Sequence, residues 1–170
     1  MRRTFLPVLV CALLTLVSVG CGYRPVARGA TRAGVQSVRV DLLRNATLKP
    51  LIENILTDEV VRELARRGSM TVVASEEDAL LSGKVSGYSL GAISYTAADT
   101  VARYRVTVSA EMQLDRRQDG VVLWKGTLSR HEDFTASPDA SVEKDRETAA
   151  ARLACQRLAE DLFLHLIEDF

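Results

Sequence analysis

Aromatic side chains are scarce in this chain, with one Trp, four Tyr and four Phe. No basic run interleaves with them, so the stacking platforms on which single-stranded nucleic acids lie are missing. Charge of one sign is missing too, because 22 Lys and Arg balance 22 Asp and Glu. No global field draws the chain to nucleic acid. Histidine is nearly absent. His131 stands in Arg130-His131-Glu132-Asp133 at the end of a strand pattern and reads as solvated, and His165 lies one residue off the apolar stripe of the last helix. No Cys or His spacing suits zinc, no oxygen-rich loop suits calcium, and no glycine-rich loop opens a helix after a strand. Gly83-Lys84 is a bare dipeptide within a strand pattern, and Glu76-Glu77-Asp78 reads as a wet acidic turn. The sequence therefore predicts a binding or assembly module rather than an enzyme, with no catalytic residue, metal or cofactor.

Cysteine is limited to Cys11, Cys21 and Cys155. Cys155 falls on a helical stripe and is expected to pack as a small apolar residue. Cys21 ends the one long uncharged apolar run, Phe5 to Val19, which follows Arg2 and Arg3 in the layout of an export signal. At roughly 1.5 Å per helical residue that run reaches only about 22 Å of a hydrocarbon core about 30 Å thick, too little for a permanent span. Ser18-Val19-Gly20 offers a small-residue cleavage site, and the cysteine directly after it makes the segment resemble a bacterial lipobox, with Ser18 where Leu is usual. Lipid attachment at Cys21 is expected. Gly22 rather than Asp after the cysteine favours the outer membrane. Residues 1–20 are thus read as signal peptide, 21–34 as a lipidated flexible tether rich in Gly, Ala and Arg, and 35–170 as one domain.

Within that domain, Val38, Val40 and Leu42 alternate with Arg39 and Asp41 as a half-buried strand. Pro50 suits a first helical position, and Ile52, Leu56, Val60 and Leu64 form a helical stripe that closes at Arg66-Arg67-Gly68. Met70 to Ala74 reads as a short strand and Leu80 to Ser89 as a longer one, its glycines suggesting bulges. Tyr104, Val106, Val108, Ala110, Met112 and Leu114 alternate strictly with polar residues, and Val122, Trp124, Gly126 and Leu128 continue the apolar face after the hairpin loop Arg116 to Gly120. From Ser141 one long helix carries Ala151, Cys155, Leu158, Leu162 and Leu166. The predicted fold is an α+β two-layer sandwich, two amphipathic helices on one face of a mixed, mostly antiparallel sheet of four to five strands. Its other face, Arg105, Thr107, Ser109, Glu111 and Gln113, is left polar and open.

Several segments carry a family resemblance in their order and spacing. They are Cys21-Gly22-Tyr23-Arg24, the helix Leu51 to Gly68 followed by Val72-Val73, Leu81-Ser82-Gly83-Lys84-Val85-Ser86, Ala102-Arg103-Tyr104, and Lys144-Asp145-Arg146-Glu147. Together they resemble the LptE family of lipopolysaccharide-assembly lipoproteins. The resemblance implies a protein on the periplasmic face of the outer membrane that plugs the LptD barrel, assists its assembly and contacts lipopolysaccharide. It places those contacts at the loop between the long strands and at the entry to the last helix. Lys144 matches the second position; the first, Thr96 to Asp99, carries no base, and Arg103 and Arg105 stand nearby. Barrel contact falls to Arg116, Arg117, Tyr95 and Phe134, of which the arginines also read as a solvated loop tip and the aromatics as core. The rival reading is an accessory lipoprotein of phospholipid transport or of barrel assembly.

Overall fold

The structure, a computed structural model, describes residues 34–168. The expected signal peptide, the lipid site Cys21 and the rest of the tether up to residue 33 lie outside the described residues. The elements are β1 (Ser37–Val40), β2 (Arg44–Asn45), α1 (Ile52–Arg67), β3 (Thr71–Val72), β4 (Ala79–Tyr95), β5 (Val101–Arg116), β6 (Val122–Thr135) and α2 (Ala140–Glu168). They form one sheet in the order β3-β1-β4-β5-β6, with β2 also paired to β4, and both helices pack on it. β1 runs parallel to β3 and β4, and α1 supplies the crossover that parallel neighbours need. β4, β5 and β6 form an antiparallel meander. This is the α+β arrangement the periodicity predicts.

The first helix begins later than Pro50 suggests. Leu51 takes a left-handed conformation, φ 64°, so helical geometry starts at Ile52. The Asn45 side chain supports that turn, its Nδ2 donating to the Lys49 carbonyl and to Glu53 Oε2, both at 2.7 Å. At the far end Gly68, φ 66°, donates its N–H to the Leu64 carbonyl at 3.2 Å, the left-handed stop that glycine allows without a side-chain clash.

Two strand phases differ from the simple alternation. β1 ends at Val40, so Leu42 is exposed and Leu43 is buried in its place; the chain leaves β1 to pair with β4 again as β2. In β4 a one-residue bulge at Ser86 exchanges the two faces. Val85 is therefore followed on the helix side by Tyr88, and Gly87 and Ser89 turn to the open face. The core lies between sheet and helices: Leu81, Val106, Val108, Met112 and Leu114 meet Leu56, Val60, Leu64, Leu158, Leu162 and Leu166. Across the sheet, Thr107, Ser109, Glu111 and Gln113 remain at least partly exposed, and Ser109 Oγ lies 2.9 Å from Ser129 Oγ.

Gly83 is held by close approach. A Cβ there would stand 2.4 Å from the Glu111 carbonyl oxygen and 3.0 Å from Met112 Cα, both backbone atoms of the paired strand. Gly83→Ala is expected to cost about 1–3 kcal/mol by overpacking, whereas Gly91→Ala, with nothing within 4 Å of its Cβ, should leave the urea midpoint nearly unchanged. Cys155 is fully buried on α2. Burial, with the Glu59 carboxylate adding to it, pushes its thiol up to about 12. A thiol reagent should leave it unlabelled at pH 8 in the folded protein and modify it only above the unfolding midpoint.

Candidate functional site at the entry of the last helix

The end of β4, the start of β5, the end of β6, the loop before α1 and the first turns of α2 meet at one end of the sandwich. The break at Pro138 is followed by Asp139, whose Oδ1 accepts the N–H groups of Ser141 at 2.8 Å and Val142 at 3.3 Å. This satisfies two donors of the new helix. Arg146 reaches back to the carbonyls of Thr135 and Ala136, each at 3.0 Å. The helix start is thereby fixed to the end of β6, and Lys144 and Glu147 project one turn further on.

Glu147 is the hub of a polar cluster inside this apolar layer. Its residue is 9% exposed. The carboxylate accepts the Tyr88 hydroxyl at 2.6 Å, pairs with the Lys49 ammonium, and receives Lys144 Nζ at 3.2 Å. Lys49 Nζ also stands 5.0 Å from the centre of the Tyr88 ring. Burial works to raise the carboxyl, and the bonds from Lys49, Tyr88 and Lys144 outweigh it, holding Glu147 down at about 2. Burial and the neighbouring carboxylate push the Tyr88 hydroxyl far above its usual value. The sequence singles out Lys144, but Lys49 and Tyr88 carry no local signal, since they reach Glu147 across 98 and 59 residues.

Arg103 and Arg105 lie on the other side of the sheet from Lys144, because the intervening β5 residues Tyr104 and Val106 face the helices. Arg105 grips Asp133 with its Nε at 2.7 Å and Nη2 at 3.0 Å, and Arg103 stands 3.8 Å from the same carboxylate. The Arg105 bond keeps the Asp133 carboxyl low. At this end a cleft of about 800 Å³ opens among Thr96, Val101, Tyr104, Pro138 and Glu143, lined by none of the clustered cations themselves. Phe134 is 8% exposed and stacks on Tyr104 with ring centres 5.4 Å apart, while Tyr95 is 60% exposed at the end of β4. Arg116 and Arg117 are at the opposite end, beside Gly34, where Arg117 lies 3.5 Å from Glu77 and Arg116 3.1 Å from Asp119. His131 is exposed on the open face, and His165 stacks on Trp124.

Each cation cluster keeps an excess of positive charge. Lys49 and Lys144 share one carboxylate, as do Arg103 and Arg105. The side chains of Lys144 and Arg103 are mostly exposed. Each could add an anionic oxygen, a phosphate for instance, without losing its internal partner. Among the described residues no group of three His, Cys, Asp or Glu could hold a metal ion, and no helix is long and apolar enough to cross a membrane.

Comparison with known proteins gives a consistent result. A family model described as LptE, lipopolysaccharide-assembly, matches residues 35–166. No curated protein matches the chain. Among solved structures, the rare lipoprotein B from Shewanella oneidensis superposes with a TM-score of 0.50 at 16% identity, covering 75% of this chain and 92% of its own. Protein XCC0632 from Xanthomonas campestris gives 0.56 at 17% identity, covering 86% and 95%. The hypothetical protein CT253 from Chlamydia trachomatis gives 0.56 at 10% identity, covering 77% and 95%. At these identities the structures speak for the fold.

Proposed function

The chain belongs to the LptE family of lipopolysaccharide assembly, and from that premise we propose that it is a non-enzymatic outer-membrane lipoprotein, anchored through Cys21 on the periplasmic face, that plugs and helps assemble an LptD-type barrel. In this reading lipopolysaccharide passes the end of the domain where α2 begins, and its phosphates meet Lys144 on one side of the sheet and Arg103 and Arg105 on the other. The observation that carries it is that two cations share a single carboxylate in each cluster, Lys49 and Lys144 on Glu147 and Arg103 and Arg105 on Asp133. Arg116, Arg117 and Tyr95 serve as contacts with the barrel wall; Phe134 is withdrawn from that role because it is buried in the core against Tyr104. A sheet with a helix layer is too thick for a small barrel filled by its own side chains. The partner in this reading is a large barrel whose lumen holds a plug.

The test is affinity purification of the tagged full-length lipoprotein from outer membranes in mild detergent, with mass spectrometry of what co-purifies. Recovery of one large barrel protein in near-equal amount, with lipopolysaccharide retained by wild type and reduced in Lys144→Ala/Arg105→Ala, is the expected result. Recovery of a phospholipid-transport or barrel-assembly complex instead would replace this reading with that of an accessory lipoprotein.

A further inference from the structure

β4 has a covered half and an uncovered half. From Ala79 to Val85 its outer edge is taken by β1 and then β2, and the N–H groups of Asp41 and Ala46 donate to the carbonyls of Leu81 at 2.9 Å and Val85 at 3.0 Å. Beyond Val85, among the described residues, no strand pairs with that edge, although β5 follows the other edge as far as Tyr95. Because the bulge at Ser86 shifts the phase by one, Tyr88, Leu90 and Ala92 turn their N–H and C=O groups outward there.

Exposed sheet edges are usually guarded by charges, proline or short length. β6, at one outer limit of the sheet, follows that rule with Lys125, Arg130, His131, Glu132 and Asp133. The β4 edge does not: Val85 to Ala98 contains no charged residue and no proline. It also presents apolar surface, with Leu90 45% and Ile93 40% exposed. An unguarded edge of this length is a template for another strand.

We propose that the occupant is the same edge of a second copy, running antiparallel about a two-fold axis at Gly91. In that register Leu90 lies opposite Ala92 of the second copy and Ser89 opposite Ile93, where the ladder ends. Every large side chain meets a small one, which lets a close cross-strand ladder form. Neutrality matters most at such an axis, because any charge near it faces its own duplicate. The bulge at Ile93 adds twist, confining the ladder to this short stretch. An interface of this size is transient rather than obligate.

The register places residue 91 against itself, with Cβ atoms about 4.5–5.5 Å apart and within reach of a disulfide after small adjustment. A Cβ at Gly91 meets nothing within 4 Å, so Gly91→Cys should fold, which circular dichroism verifies. The full-length protein in detergent is mildly oxidised and compared with Thr127→Cys, an exposed position on the same sheet face. Disulfide-linked dimer should form at least tenfold faster at position 91 and be suppressed when Leu90→Lys is added. Equal rates at the two positions, or indifference to Leu90→Lys, would overturn the pairing. Sedimentation of the unmodified full-length protein gives an independent check: a reversible dimer that Leu90→Lys abolishes is expected, and a monomer at every concentration refutes the proposal. Neither measurement involves a barrel, so the pairing can fail while the functional reading stands.

Discussion

Glu147→Gln should lower the unfolding free energy at pH 7 by about 3 kcal/mol, the low end of the cost of breaking a buried ion pair. Glutamine still accepts the Tyr88 hydroxyl but cannot neutralise Lys49, whose ammonium is mostly buried against Tyr88. Lys144 is largely solvated and loses little. The pH dependence follows from the depressed carboxyl. With a folded value of about 2 against 4.5 for the free group, the stabilisation is fully present above about pH 5 and is lost as pH falls toward 2. The same gap corresponds to about 3 kcal/mol. Urea titrations should show the two proteins far apart at pH 7 and converging near pH 2. A constant difference across that range, or none at pH 7, would remove Glu147 from its place as the hub.

Leu162→Ala should cost about 2–5 kcal/mol, because the side chain is 1% exposed between sheet and helices and its removal leaves a cavity. Leu164→Ala, two residues further along α2 and 47% exposed, should change stability by less than about 0.5 kcal/mol. The contrast fixes the rotation of α2 on the sheet. Similar costs at both positions would mean that the helix faces the core by a different stripe, and chemical denaturation of the two variants decides it.

The layers were readable because periodicity alone separates them. The strict alternation from Tyr104 to Leu114 and the stripe through Leu158, Leu162 and Leu166 are statements about which face is buried, and burial is what the fold satisfies. What the pattern missed are changes of phase. Leu42 looks like the third residue of a strand until the chain breaks off at Val40, and nothing local announces that Leu43 will be buried instead. The glycines of β4 signal irregularity, yet Gly83 serves close approach while the bulge itself falls on Ser86. At the candidate site Lys144 was singled out by the family resemblance, which points to the first turns of the last helix. Its partners were not, because Lys49 sits in a turn with no periodic signal and Tyr88 reaches the helix side only through the bulge. Asp133 was likewise visible as a charge but not as the clamp on Arg105, a pairing set by strand register.

Lipopolysaccharide at the cell surface, measured during controlled depletion of this protein, tests its central role most directly. If the protein works in lipopolysaccharide assembly, surface lipopolysaccharide should fall as the protein is exhausted and return when wild type is restored, with Lys144→Ala/Arg105→Ala restoring it less well. Unchanged surface lipopolysaccharide after complete depletion would contradict the role.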